Sequence, residues 1–307
     1  MSEVRVINQF PDWYAPDFRI SEWNRNFVDS NVILNSDVYE AIYPEHWGPL
    51  SLKFAFNGCE FYESDNCRYR VTDGYFLLFN HNQYYSSYLS SNKAVRSFTI
   101  NFARDFKEKK IADLVVSDDQ LLDDPLYEPI KNMNFFSGLY RFNGEILKEI
   151  VELKSYLDGL NYNTLFINQK LSSILEQMYY LNCNVALDVK KIKAERPSTK
   201  IETYRRICKA KDYIESNFMN EVTLDRLASV ACMNPFHLLR KFKQFYNETP
   251  HRYLTKVRMN EAKILLAQRD TSVTEVCFEV GYEDISSFSK LFKRFTGLSP
   301  DNFRSLS

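Results

Sequence analysis

No stretch of the 307-residue sequence approaches the roughly 18 uninterrupted apolar residues that suggest a membrane-crossing helix. The opening residues, MSEVRVINQFPDWYAPDF, lack a basic segment followed by an apolar one, so no export signal and a cytoplasmic location are expected. Cys59, Cys67, Cys183, Cys208, Cys232 and Cys277 are scattered, with no C-x-x-C pair. Without an export signal they read as reduced, mostly buried thiols rather than a disulfide or metal framework. Histidine is scarce. His46 and His81 lie far apart with no H-x-H pair, so neither a metal site nor a cofactor is expected. The chain also lacks a G-x-S-x-G elbow, a P-loop and a dinucleotide fingerprint, and its Ser, His and Asp residues form no recognisable triad pattern. No catalytic residue is assigned, and the chain reads as a non-enzyme.

What is present is ordinary globular material. Hydrophobic residues make up 45% and charged residues 26%, which excludes a disordered or fibrous chain, and the length suits two domains. The net charge of −1 conceals an asymmetry. From Lys200 to Ser307 there are 18 Lys and Arg against 13 Asp and Glu, a surplus of five positive charges, and the remainder is acidic. A basic C-terminal third suggests a nucleic-acid module, although such a surplus is also common on solvated surfaces.

The same third contains an internal repeat. HLLRKFKQFYNETPHRY at 237–253 aligns with SFSKLFKRFTGLSPDNF at 287–303 at an offset of 50. Leu238 falls on Phe288, Phe242 on Phe292, Phe245 on Phe295 and Pro250 on Pro300. Upstream the offset is 49, pairing Leu224 with Val273 and Ala231 with Val280. Each copy reads as two short helices. In the first, Thr223 caps a helix carrying Leu224, Leu227, Ala228 and Ala231 at helical spacing. A break at Cys232-Met233-Asn234-Pro235 follows, in which Asn234 can cap the next helix and Pro235 suits its first position. That helix turns Leu238, Leu239, Phe242 and Phe245 inward and ends at Asn247, which tolerates a left-handed backbone. In the second copy Val273, Val276, Cys277 and Val280 make the first helix, Gly281 the turn and Asp284 the cap. Phe288, Leu291, Phe292 and Phe295 form the apolar stripe, and Gly297 ends it. A short helix, a tight turn and a second helix with a basic outer face is the helix-turn-helix design. Amphipathic stretches at Pro250 to Gln268 and Ile201 to Phe218 predict a connecting and a supporting helix.

Residues 201–307 resemble the DNA-binding domain of the AraC/XylS family of transcription regulators. The resemblance rests on L-x-x-L-A-x-x-A-C-M-N at Leu224 to Asn234, F-H-L-L-R-K-F-K at Phe236 to Lys243, V-G-Y-E-D-x-S-S-F-S-K-x-F-K-R-F at Val280 to Phe295, and G-L-S-P-D-N-F-R at Gly297 to Arg304. It departs at Cys232, where the family usually has Gly, and at Asn247. The resemblance implies double-stranded DNA as partner and RNA polymerase as a further one. It places base-reading positions at Phe236, Leu239 and Arg240, with His237 alongside, and at Ile285, Ser286, Ser289 and Lys290. Arg240 can bond guanine bidentately, and Phe236 and Ile285 can meet a thymine methyl. Lys243, Lys293 and Arg294 fall where phosphate is the expected contact, although each Lys equally reads as a solvated charge. Leu239 can alternatively complete the core, and His237 reads as a surface or phosphate residue rather than a base reader.

The basic, Pro-containing segment KKIKAERPSTK at 190–200 predicts a linker after a domain spanning 1–189. Short strands are predicted at 32–34, 52–56, 68–71, 75–79 and 95–102. Asp73 to Tyr85, DGYFLLFNHNQYY, resembles a strand-turn of the cupin-like barrel in sugar-sensing members of the family. Helical stripes follow at Phe142, Ile146, Ile150, Leu153 and Leu157, and at Leu171, Ile174, Leu175, Met178 and Leu181. They read either as a hairpin packed on its own domain or, as the resemblance implies, as a homodimerisation face. The expected fold class is therefore α+β: a cupin-like β-barrel with a helical hairpin, then an all-α double helix-turn-helix domain. With 20 Tyr and 24 Phe in the chain, Tyr62, Tyr69, Tyr84, Tyr85 and Tyr88 are candidates to line a pocket for a small effector, flat or sugar-like. Two rivals stand beside this reading: a protein-interaction module in place of the sensor, and a cupin enzyme with a DNA-binding tail.

Overall fold

The computed structural model describes residues 3–11, 15, 16, 18, 27, 30–115, 134–142, 144–190, 196–268 and 271–306. The chain divides into two compact units, Met1–Lys191 and Ile192–Ser307.

Among the described residues of the first unit, eight strands form one curled sheet: β1 (Glu3–Ile7), β2 (Ser30–Gly48), β3 (Leu50–Phe56), β4 (Cys59–Ser64), β5 (Cys67–Thr72), β6 (Tyr75–Phe79), β7 (Gln83–Phe102) and β8 (Gly138–Arg141). The order is β1-β2-β7-β3-β6-β8, and β4 pairs with β7 and carries β5 at its side. Strands β2 and β7 are antiparallel partners over most of their length. One half of β7, Arg96–Phe102, also pairs with β3, and the other half, around Ser86–Tyr88, with β4. Register shifts at Val38/Glu40 and Tyr43/His46 let the pair bend, since an extra residue on one strand increases local twist. The β4–β5 hairpin turns through Asp65 and Asn66 at φ 51° and 60°, conformations that Asp and Asn tolerate better than most residues.

Two strands are far longer than predicted. The sequence pointed to 32–34 and 95–102, whereas β2 continues to Gly48 and β7 begins at Gln83. The extensions carry Asp37, Glu40, Ser86, Ser90, Ser91 and Asn92, so hydrophobic alternation fades there while backbone pairing holds the strands. Within Asp73 to Tyr85, the segment likened to a strand-turn, β6 ends at Phe79 and β7 begins at Gln83.

Helices α1 (Arg104–Val115), α2 (Gly144–Asp158) and α3 (Thr164–Lys190) accompany the sheet. Ile150, Leu153, Ile174 and Leu175 are fully buried, in one cluster with Leu52, Phe54, Phe98 and Ile100 of the sheet. The stripes predicted from 142–157 and 171–181 therefore pack on their own domain, and these side chains are not an open dimerisation face. Exposed apolar residues on the same helices include Leu147, Val151, Leu165, Tyr180 and Leu187.

The second unit consists of α4 (Pro197–Asn217), α5 (Leu224–Val230), α6 (Pro235–Tyr246), α7 (Pro250–Ala267), α8 (Val273–Glu279), α9 (Ile285–Thr296) and α10 (Pro300–Leu306). Helix α4 begins inside the stretch expected to be linker, of which 191–195 lie outside the described residues. The unit has two cores. One joins Ile207, Ile214, Leu227, Leu238, Phe242, Leu254 and Val257. The other joins Met259, Ala262, Leu266, Val276, Phe288 and Phe292. Helix α7 is the connector, giving its first half to one core and its second half to the other. Each buried Leu or Phe contributes about 1.5–3 kcal/mol of transfer free energy.

The six cysteines are free thiols, but only Cys67 and Cys277 are buried, and Cys232 is exposed. Phe295 is a second exception to the predicted pattern: it is 43% exposed, not inward. Phe303 of α10 packs edge-on against Phe292 at 5.5 Å, so Phe292 rather than Phe295 meets the last helix. In the first copy Tyr204 of α4 lies 5.1 Å from the equivalent Phe245.

Candidate functional site

The first helix-turn-helix is fixed by local chemistry at each junction. Thr223 Oγ1 accepts the Arg226 N–H at 3.2 Å and starts α5. The turn passes through Cys232 at φ 49°, a left-handed conformation that costs a residue with a Cβ. Arg206 Nη1 donates to the Cys232 carbonyl at 2.8 Å and supports it. Asn234 Oδ1 then accepts the Phe236 N–H at 3.0 Å, and Pro235 occupies the first turn of α6. Leu238 and Phe242 anchor α6 in the core, and the helix ends at Asn247 with φ 59°.

With that face buried, Phe236, His237, Arg240 and Lys243 point to solvent, Phe236 at 81% exposure. Leu239 is half-buried in a hollow with Leu224, Leu227, Pro250 and Leu254, on the side of α6 that faces α5. Although His237 is exposed, slight desolvation against the helix, followed by the neighbouring Lys241 and Arg240 charges, lowers its pKa and favours the neutral ring.

The second motif has the same plan with different caps. Ser272 and Glu275 form a reciprocal capping box, the Ser272 N–H donating to Glu275 Oε2 at 2.7 Å and the Glu275 N–H to Ser272 Oγ at 3.2 Å. Gly281 makes the turn at φ 81°, in the position that Cys232 holds in the first copy. Asp284 caps α9 by accepting the N–H groups of Ser287 at 2.7 Å and Ser286 at 3.3 Å. The hydrogen bonds from Ser287 lower the pKa of the Asp284 carboxyl. Ile285, Ser286, Lys290, Lys293 and Arg294 are exposed, Ser289 is half-buried, and Phe288 and Phe292 hold the helix in its core. The eleven side chains singled out from the sequence thus lie on the second helices of the two motifs.

The first unit contains a hollow of about 50 Å³ on the inner side of the curled sheet. Its polar lining is Lys53, Glu60, Tyr62, Tyr85, Thr99 and Asn101, with Phe10 and Trp47 among its aromatic walls. Lys53 is only 5% exposed. Its Nζ donates to the Tyr85 hydroxyl at 2.9 Å and lies 4.8 Å from the Tyr85 ring centre and 5.9 Å from that of Tyr62. Ser97 Oγ donates to Glu60 Oε2 at 2.8 Å. Burial raises the Glu60 pKa, and burial followed by the Glu60 charge pushes the Tyr62 phenol well up. His46, also on the wall, is pulled down to about 4 by burial, its Nδ1 2.8 Å from the Pro44 carbonyl.

Of the five tyrosines proposed from the sequence, Tyr62 and Tyr85 line this hollow. Tyr69 is buried edge-on against Phe79. Tyr84 is 58% exposed, and Tyr88 stacks on Phe61 at 4.9 Å beneath Arg68. Alternation along β7 explains the split: residues 85, 87 and 89 are buried, whereas 84, 86 and 88 turn to the other face. Sequence reasoning missed Lys53 and Glu60. The available signal was a charge inside the apolar run LSLKFAF and another on CEFYES. Among the described residues no three His, Cys, Asp or Glu side chains come together as a metal site would require. No helix among them is long and apolar enough to cross a membrane.

Comparison with known proteins places a family described as "Helix-turn-helix domain" on residues 227–305. The raffinose operon transcriptional regulatory protein RafR of Pediococcus pentosaceus is 29% identical over 163 residues, covering 53% of this chain and 56% of its own length. The HTH-type transcriptional activator RhaS of an Enterobacter species is 36% identical over 92 residues, 30% of this chain and 33% of that one. In both, the matched segment spans less than two thirds of the relative. Among solved structures, the C-terminal domain of AraT, a response regulator from Geobacillus stearothermophilus, is 31% identical, with a TM-score of 0.32, covering 33% of this chain and 85% of that one.

Proposed function

We propose, from the helix-turn-helix domain matched at residues 227–305, that the protein is a cytoplasmic, sequence-specific transcription regulator of the AraC type acting on double-stranded DNA. Residues 201–307 are the reader, 190–200 the linker, and 1–189 a sensing and dimerisation domain. One observation carries the reading: two helix-turn-helix motifs, each capped and anchored on its own core, leave the start of their second helices open to solvent. A helix of about 10–12 Å diameter fits a major groove about 12 Å wide. Arg240 and Lys290 meet base edges, Phe236 and Ile285 meet thymine methyls, and Ser286 and Ser289 accept either partner. Lys243, Lys293 and Arg294 hold phosphate and set the register. Leu239, turned toward α5, steadies the helix rather than reading DNA, and His237 lies at the margin.

In the first unit, the Lys53–Tyr85 and Glu60–Ser97 pairs provide polar contacts for a small effector. The present hollow has room for a few waters, so a metabolite must displace a wall such as Phe10 or Trp47. That displacement is how binding alters the arrangement of domains or subunits, to the extent that the ligand prefers one state. The same small volume favours the rival in which this unit binds a protein. Screening in which no small metabolite gives a thermal shift or changes DNA binding or transcription would support the rival; a metabolite that shifts the midpoint and changes DNA binding would exclude it.

The DNA-binding reading is tested by selecting bound sequences from a random duplex pool and titrating the winner at several salt concentrations. The expected product is a motif with two contact blocks about one turn apart, with Arg240→Ala costing about 1–3 kcal/mol on it. Salt-sensitive binding without an enriched motif would leave only a generic basic surface.

A further inference from the structure

The two cores of the reader share no buried apolar residue, and α7 passes from Val257 in one to Met259 in the other. Arg258 lies between them, on the seam. Its Nε donates to the Phe218 carbonyl at 2.7 Å and its Nη2 to the Asn220 carbonyl at 2.9 Å, gripping the chain just after α4. Its guanidinium lies 5.1 Å from the ring centre of Tyr282, beside the turn of the second motif. Gly281 closes the same knot. A Cβ there would stand 2.7 Å from the Met219 carbonyl oxygen, 2.9 Å from the Phe218 carbonyl oxygen and 2.9 Å from Arg258 Nη2. The end of α4, the middle of α7 and the second turn therefore meet at one guanidinium. Each motif is anchored on its own core, so such a bridge restrains what the separate cores leave free, the angle between them.

We propose that Arg258 is a positioning residue that fixes the angle and separation of the two recognition helices, and thereby the spacing of contact blocks the protein accepts on DNA. The proposal rests on the two-helix reading above. It assigns Arg258 no contact with DNA. The fork matters: guanidinium presents divergent N–H groups to two carbonyls while its central carbon stays over the Tyr282 ring, an arrangement an ammonium does not match.

The test uses the full chain and duplexes from the pool selection: the two-block winner, the same sequence with one base pair added or removed between blocks, and a single-block duplex. One added base pair shifts the second block by about 3.4 Å and rotates it by about 34–36°. The wild-type chain is expected to lose about tenfold or more in affinity on either altered spacing. Arg258→Ala is expected to lose less than about threefold between the same duplexes, with single-block affinity within about twofold of wild type. Arg258→Lys, which keeps the charge but not the fork, is expected to behave like Arg258→Ala and serves if the latter does not fold. A folded variant with the wild-type spacing penalty would overturn the proposal, as would one that loses single-block binding. Equal wild-type binding to single-block and two-block DNA would instead defeat the two-helix reading, and the spacing claim with it.

Discussion

His46 shows how a single side chain ties the first unit to pH. Its ring is half-buried on the wall of the hollow, 4.5 Å from the Tyr85 ring centre, and desolvation lowers its pKa from 6.5 to about 4. His81, whose Nδ1 accepts the Leu50 N–H at 3.3 Å, is also drawn to about 4 by burial, with Lys107 and Arg104 adding to the shift. Below about pH 6.5 the unfolded chain takes up protons at these rings while the native chain does not. Native stability from both is therefore complete above that pH and declines as pH falls toward 4. Urea unfolding midpoints should drop between pH 7 and 5, and the drop should be smaller in His46→Gln. An unchanged pH slope in that variant would mean the native ring protonates freely. Glu60 has a raised pKa and acts in the opposite direction, so comparison of variant with wild type isolates the histidine.

Among elements, the matched turns of the two motifs offer a comparison within one chain. Both pass through a left-handed residue, Cys232 in the first and Gly281 in the second. Gly adopts that conformation without the clash a Cβ brings, but it also gains freedom in the unfolded chain. Cys232 is exposed, so its thiol contributes little packing that the exchange would forfeit. Cys232→Gly is accordingly expected to stabilise the reader by about 0.5–1 kcal/mol, measured as a rise in thermal midpoint. A lower midpoint would show that the Cys232 side chain contributes more than its backbone strain costs.

These elements were legible because their rules are local. Thr223, Asn234 and Asp284 cap the helices they were expected to cap, and Asn247 and Gly297 end theirs. Phe242 and Phe292 are buried as helical spacing required, whereas Phe295, at the end of its stripe, depends on a neighbouring helix that spacing does not encode. The hollow was less legible. Which tyrosine faces inward depends on the register of β7 against β2 and β4, and the serine-rich half of β7 carries little hydrophobic pattern from which register can be read. Lys53 and Glu60 come together across the sheet, a relation set by pairings far apart in sequence.

At the scale of the whole molecule, each compact unit has its own buried cluster, so each has the means to fold alone. If 1–189 supplies the dimer contact, a piece comprising 196–307 should sediment as a monomer and bind the two-block duplex more weakly than the full chain. The difference is the effective concentration gained by linking two readers. Equal affinity of piece and full chain would remove dimerisation through the first unit from the mechanism.

The curled sheet also bears on how the protein keeps company with itself. Among the described residues its path ends at β1 on one side and at β8 on the other. An unpaired strand is a template on which another chain can add, and natural sheets guard such margins with charge or brevity. Strand β1 carries Glu3 and Arg5, ion-paired at 3.1 Å, and β8 is only four residues long. Strand β7 lies inside, with β2 on one flank and β3 and β4 in turn on the other, whereas β2 has β1 on its second flank over Ser30–Leu34. Growth by strand addition is thereby discouraged at these two margins, and β5, which pairs with β4 alone among the described strands, carries Arg68 and Arg70 at a third.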